Sequence, residues 1–270
     1  MVSRRARPWP VGVVAGLVLA TVPACGDGDG RVTIAFRPPV GAEFSYLTEV
    51  ESTTTTDLPC QAAATRVDRT RLDATQVVLE PDGPGVRLEV ALSRTGIGTR
   101  TFVMRFDRAA QLTAVEEVEG IPAAALGDLG LSEIFPAAAG APPEKALAPG
   151  DRWTIDDEIH LGDGPPTQLE GEGRLVELGV EDGHDTATVH STTTLGVQTR
   201  SEATTGTRAL DGEQVSDVEA VYDLDTGALR RAVADTVGRF RLELGPPEGG
   251  SGDPCVGTLT VELHSTIART

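Results

Sequence analysis

Few side chains of the kinds that carry chemistry occur in this sequence, and they are dispersed. Its four histidines, His160, His184, His190 and His264, show no His-x-x-x-His spacing and no Glu placed for a metal site. Neither a Gly-x-Ser-x-Gly elbow nor a Ser-x-x-Lys pair is present, so acyl transfer has no evident nucleophile. Walker and dinucleotide fingerprints are absent too, and Gly26–Gly30 lacks the terminal Glu of a calcium loop. No catalytic residue, metal ligand or cofactor is expected. Carboxylates are the exception, with 41 Asp and Glu in the chain and dense runs at Asp156-Asp157-Glu158 and Glu116-Glu117-Glu119. Two facing acids would suit glycoside hydrolysis, a chemistry defined by spatial separation and not by spacing along the chain. On a strand, Asp157 would share a face with Ile155 and Ile159. An inward charge that guards an edge strand explains that placement more simply than an active-site acid does.

The elements that would position these groups are β-strands. Val86, Leu88, Val90 and Leu92 alternate with Arg87, Glu89, Ala91 and Ser93, the pattern of a strand with one buried face. Phe102-x-Met104-x-Phe106, Trp153-x-Ile155 and Leu259-x-Val261-x-Leu263 repeat it. Turn residues punctuate the runs at Pro81–Gly85, Glu181-Asp182-Gly183 and Asp225-Thr226-Gly227. A short helix is expected around Pro122–Phe135, leading into a Pro/Ala-rich link. The predicted fold is all-β with minor helix, a curved antiparallel sheet or half-barrel built from two similar meanders. The halves are residues 31–120 and 150–270, joined by 121–149. Three motif pairs suggest a duplicated unit: Gly41–Phe44 with Gly150–Trp153, Asp82-Gly83 with Asp182-Gly183, and Phe106-Asp107 with Leu224-Asp225. Their offsets are 109, 100 and 118 residues, so loop lengths must differ between the copies. A formal charge of −18 argues against nonspecific nucleic-acid binding, which needs Lys and Arg to neutralise phosphates.

The first 24 residues read as an address. Arg4, Arg5 and Arg7 precede a 12-residue apolar run, Val11–Val22, long enough for a signal-peptide core and too short to span a bilayer. Val22-Pro23-Ala24-Cys25, followed by the Gly/Asp tether of residues 25–30, resembles a bacterial lipobox. The resemblance implies that Cys25 is lipidated and becomes the mature N-terminus, holding the protein to the outside of a bacterial membrane. Val22 and Pro23 depart from the usual pattern, and an ordinary secretory peptidase could cut the same bond. With 22 Arg to a single Lys and no Asn, the composition suggests a GC-rich bacterial genome. Cleavage would leave 20 basic against 41 acidic side chains, a charge of −21. Once Cys25 is committed to lipid, Cys60 and Cys255 remain, each after a proline, in an oxidising compartment. One disulfide tying an early hairpin to the last strand is expected. A pair of metal ligands is the weaker reading, because no Cys-x-x-Cys spacing accompanies them.

The order of elements, with a Pro-rich link before Gly150-Asp151-Arg152-Trp153, resembles secreted lipoproteins of GC-rich bacteria, and these are similar in layout to LolA-like lipoprotein carriers. The resemblance implies a half-barrel enclosing an apolar surface for a hydrophobic ligand, and it carries over no catalytic residue. Candidate lining residues are Phe44, Tyr46, Phe102, Phe106, Trp153, Ile155, Tyr222 and Phe240. Filling a core is the simpler role for the same side chains. The alternative function is a cell-envelope module that meets a protein partner through a solid, acidic, Thr-rich surface.

Overall fold

In a computed structural model the chain forms one antiparallel sheet of twelve strands. The structure describes residues 30–270 apart from 84, 95, 97, 109–111, 123–141, 160–166, 204–205 and 247–251. The first half supplies β1 (Glu43–Asp57), β2 (Ala64–Asp82), β3 (Gly85–Arg94), β4 (Gly98–Phe106), β5 (Leu112–Val118) and β6, only Ile121–Pro122. The second supplies β7 (Arg152–Ile159), β8 (Thr167–Glu181), β9 (His184–Ala203), β10 (Gly206–Asp223), β11 (Leu229–Leu244) and β12 (Cys255–Arg269). No helix occurs among the described residues, and the helix expected at Pro122–Phe135 falls almost entirely outside them. Cys25 and its tether up to Asp29 lie outside them as well.

Every strand pairs with its sequence neighbour except at one place. The order is β6-β5-β4-β3-β2-β1-β12-β11-β10-β9-β8-β7, so β12 closes onto β1 over twelve residue pairs, Tyr46↔Arg269 to Asp57↔Thr258. The opening lies between β6 and β7, where the Pro/Ala-rich link of the sequence falls. The sheet is therefore curved and unclosed, and its two ends of chain meet in its middle. Alternation drives the curl. In β3, Val86, Leu88, Val90 and Leu92 are all buried on one face, and each such side chain removed from water contributes roughly 1.5–3 kcal/mol. Phe102 and Phe106 from one wing share a single core cluster with Trp153, Leu169 and Val189 from the other, which a flat sheet could not bring about.

Several local features of the first half recur in the second. Gly41 and Gly150 both have positive φ, 79° and 94°, a conformation glycine adopts at no steric cost. Gly41 N donates to Val78 O while Val78 N donates to Ala42 O. In the same way Gly150 N donates to Leu175 O, and Leu175 N to Asp151 O. A β-bulge follows each receiving residue, at Val78/Glu80 and Leu175/Glu177. Further bulges fall before Phe106↔Leu112 and before Tyr222↔Leu229. This correspondence sets Phe106-Asp107 against Tyr222-Asp223, two residues earlier than the Leu224-Asp225 match expected from sequence. Both dipeptides read as an apolar residue followed by Asp, and only the bulge register separates them.

Residues 31–37 do not join the sheet; they cross one end of it. Val32 and Leu147 exchange backbone hydrogen bonds of 2.8 and 2.7 Å, Phe36 N donates to Arg108 O, and Arg37 N donates to Thr226 O. Ile34 and Phe36 are thereby buried, with the Phe36 ring 6.3 Å from Phe44 and 6.5 Å from Phe106. Arg108 pins the crossing segments together, its guanidinium donating to Pro142 O at 2.7 Å and to Ile34 O at 3.4 Å. At the other end, β1, β2 and β9–β12 run on past the core. Nine residues of β1 follow Thr48, and at about 3.3 Å each that is an extension of roughly 30 Å. Its tip is cross-linked by Cys60–Cys255, with Cα atoms 6.0 Å apart, in the pairing the cysteine arithmetic gives.

Candidate functional site

The inner face of the sheet divides into two parts. Seven of the eight expected lining residues, Phe44, Tyr46, Phe102, Phe106, Trp153, Ile155 and Tyr222, are brought together, all buried in the one large cluster beneath the Phe36 crossing. They pack against one another and against Leu88, Val90 and Met104, each 0 % exposed. Space for Trp153 comes from its cross-strand partner Gly173. The indole occupies the volume that a Cβ at position 173 would need. Phe240 is set apart. It belongs to a second cluster with Leu58, Leu242 and Leu259, and it is only partly buried there, like Leu210, Leu244 and Val261.

Between the clusters the same face carries small and hydroxyl residues in one cross-strand row. Gly171, Thr193, Ser216 and Thr236 follow one another across β8 to β11, and the Thr236 hydroxyl donates to Ser216 Oγ at 2.9 Å. In the adjacent row Ser191 Oγ is fully buried with no hydrogen-bond partner among the described residues. Burying a hydroxyl this way costs free energy unless something satisfies it. Nothing in the sequence distinguishes Ser191 from its bonded neighbours.

A second assembly surrounds Asp223, at the end of β10 nearest the N-terminal crossing and only 2 % exposed. Its Oδ1 accepts hydrogen bonds from Asp225 N, Thr226 N and the Thr226 hydroxyl at 3.0–3.1 Å. Oδ2 lies 3.5 Å from His184 Nδ1, 3.8 Å from an Arg230 nitrogen and 3.9 Å from an Arg269 nitrogen. Arg269 also stacks over Phe44, 4.8 Å from the ring centroid. Ligand atoms of His184, Asp223 and Asp225 lie within 4.8 Å of one another, a grouping the linear spacing concealed. Two guanidiniums beside Oδ2 repel a cation, and three donors already occupy Oδ1, so the donor set fits an ion-pair hub and not a metal ion. Tyr46 and Tyr222 are buried nearby. Burial raises both phenol pKa values; at Tyr46 the Arg269 charge lowers it in part and Asp223 raises it, while at Tyr222 Asp107 raises it further.

Several of the remaining chemistry-bearing residues lie exposed and paired. His190 faces Asp217 at 3.1 Å and His264 faces Asp235 at 2.7 Å, both on exposed strand positions. His160 is outside the described residues. Glu116 of the acidic run meets Arg87 at 2.6 Å and Arg105 at 2.7 Å. Burial pulls the Glu116 carboxyl up, and the two guanidiniums outweigh it, holding the group below the usual carboxylate range. A general acid needs the opposite shift. Asp156 accepts a hydrogen bond from Gln168, while Asp157 is placed by its register opposite Leu169 with a side chain outside the described residues. Comparison with protein-family models and with curated protein sequences gives no match.

Proposed function

We propose that the protein is held to the outside of a bacterial membrane by a lipid on Cys25 and binds a hydrophobic ligand on the inner face of its open sheet. One observation carries this reading. Past the filled core, six long strands continue the same face, and there Phe240, Leu210, Leu244 and Val261 remain partly exposed. A solvent-facing apolar surface on a sheet that does not close is suited to an acyl chain or a similar flexible apolar group. The layout similar to LolA-like carriers supports the same ligand class, and the Cys60–Cys255 bridge is compatible with an oxidising compartment. The buried aromatic residues near the mouth act as core; the ligand surface lies on the extension.

Titrating the protein with a fluorescent long-chain fatty acid tests the reading. Saturable emission enhancement is expected, weakened at least about tenfold in Phe240→Arg, because a charge set into an apolar contact surface costs more than the 1.4 kcal/mol that tenfold represents. Absence of saturation, or an unchanged affinity in Phe240→Arg, overturns the reading and favours the envelope interaction module.

A further inference from the structure

The outer face of β7, β8 and β9 holds a hollow of about 530 Å³ lined by Arg152, Glu172, Arg174, His190 and Thr192, with Gly171 and Gly173 between them. Its construction is unusual for so acidic a chain. Arg152 stands directly opposite Arg174, and Arg174 directly opposite His190, so three basic side chains form one cross-strand row on one face. Like charges placed directly opposite each other destabilise a sheet. The next position of the row, Glu219 opposite His190, is turned to Arg231 at 3.6 Å.

The acids beside the row are already engaged. Asp217 accepts from His190 at 3.1 Å and from the Thr192 hydroxyl at 3.0 Å, and Glu172 lies 3.8 Å from Arg152. Arg174, in the middle, has no carboxylate within ion-pair distance among the described residues. Its guanidinium lines the hollow with a fork of N–H donors, and the one carboxylate in that lining, Glu172, sits beside Arg152 instead.

We propose that this hollow binds a phosphate-type oxyanion between Arg152, Arg174 and His190. The several acceptor oxygens of such a group match donors presented from three adjacent strands, and bidentate guanidinium contacts give the geometry specificity. The charge of the anion removes the repulsion along the row. The site is on the face opposite the proposed apolar surface and stands independently of it. Free phosphate and the phosphorylated headgroup of a lipid share this chemistry.

Inorganic phosphate is titrated calorimetrically, at constant ionic strength, into the protein purified from a bacterial host. Saturable binding with a Kd of about 1 mM or tighter is expected. Arg174→Gln weakens it at least about tenfold, the loss of one charge-assisted contact. Glu172→Gln, which frees Arg152, tightens it severalfold. Both positions are exposed, so circular dichroism stays that of the parent, and the opposite signs separate binding from misfolding. Lack of saturation, or an Arg174→Gln affinity equal to the parent's, overturns the proposal. Excess retention on phosphatidylglycerol vesicles over phosphatidylcholine vesicles, lost in Arg174→Gln, identifies the headgroup as the source. No such excess, with phosphate binding intact, identifies the free anion.

Discussion

Replacing Asp223 by Ala removes the acceptor on which one end of the sheet converges. The Oδ1 atom takes three hydrogen bonds from the β10–β11 turn at 3.0–3.1 Å, and Oδ2 sits among His184, Arg230 and Arg269. Each hydrogen bond to a charged acceptor contributes about 1.5–3 kcal/mol. Water reaching the partly buried turn recovers part of that. Arg230, 14 % exposed on its side chain, keeps Asp182 at 2.8 Å, which limits the loss further. The expected cost is therefore about 3–5 kcal/mol, the range for breaking one side of a buried ion pair. For a chain of this size that corresponds to a fall in Tm of about 10–15 °C. Asp223→Asn, which keeps an oxygen for the turn donors, is expected to lose about half as much. Asp182→Ala removes an acid that is 89 % exposed but leaves Ala at a φ of 52°, and is expected to cost about 1–2 kcal/mol. Thermal melts of the three variants, followed by circular dichroism, provide the comparison. An Asp223→Ala protein as stable as Asp182→Ala refutes the hub.

Alkaline titration reads the two tyrosines, which are the only ones in the chain. Both folded-state pKa values are raised by burial, above the value near 10 of an unfolded chain. The unfolded state therefore loses its phenol protons first, so stability is intact below about pH 10 and falls as pH rises above it. Tyrosinate absorbance is expected to emerge in one step with unfolding; a gradual rise near pH 10 in a folded protein contradicts the burial. The Cys60→Ser/Cys255→Ser double variant should keep its strand signature, because β1 and β12 remain paired over twelve residues. Opening a cross-link of sequence separation 195 costs about 5 kcal/mol in the chain-entropy picture, read as a lower urea midpoint. An unchanged midpoint would show that the paired strands already supply the constraint.

Much of the fold is legible in the chain because each strand needs only its own alternation. Val86–Leu92 and Phe102–Phe106 declare their buried faces without reference to any neighbour, and Asp182 and Gly183, with φ of 52° and 82°, form the two-residue hairpin that their types suggest. The disulfide follows from having two cysteines left over. Contacts between distant segments are less legible. Nothing local tells that Val32 will bridge Leu147, or that His184, Arg230 and Arg269 from three strands will gather on Asp223. Buried aromatics present a further ambiguity: Phe44 and Trp153 lie in the right register either to fill a core or to line a cavity, and only the Phe36 crossing and the absence of a side chain at Gly173 decide for the core. Phe240 shares their sequence pattern yet lies on the exposed extension, because strand length and not alternation sets where the core ends.

Native mass spectrometry of the protein purified from a related bacterial host, set beside the denatured mass of the same sample, tests the binding of a hydrophobic ligand most directly. A discrete excess of mass that vanishes on denaturation, extracts into organic solvent and is missing from Phe240→Arg is the predicted result. Identical native and denatured masses, with the Cys60–Cys255 bridge intact, would contradict it.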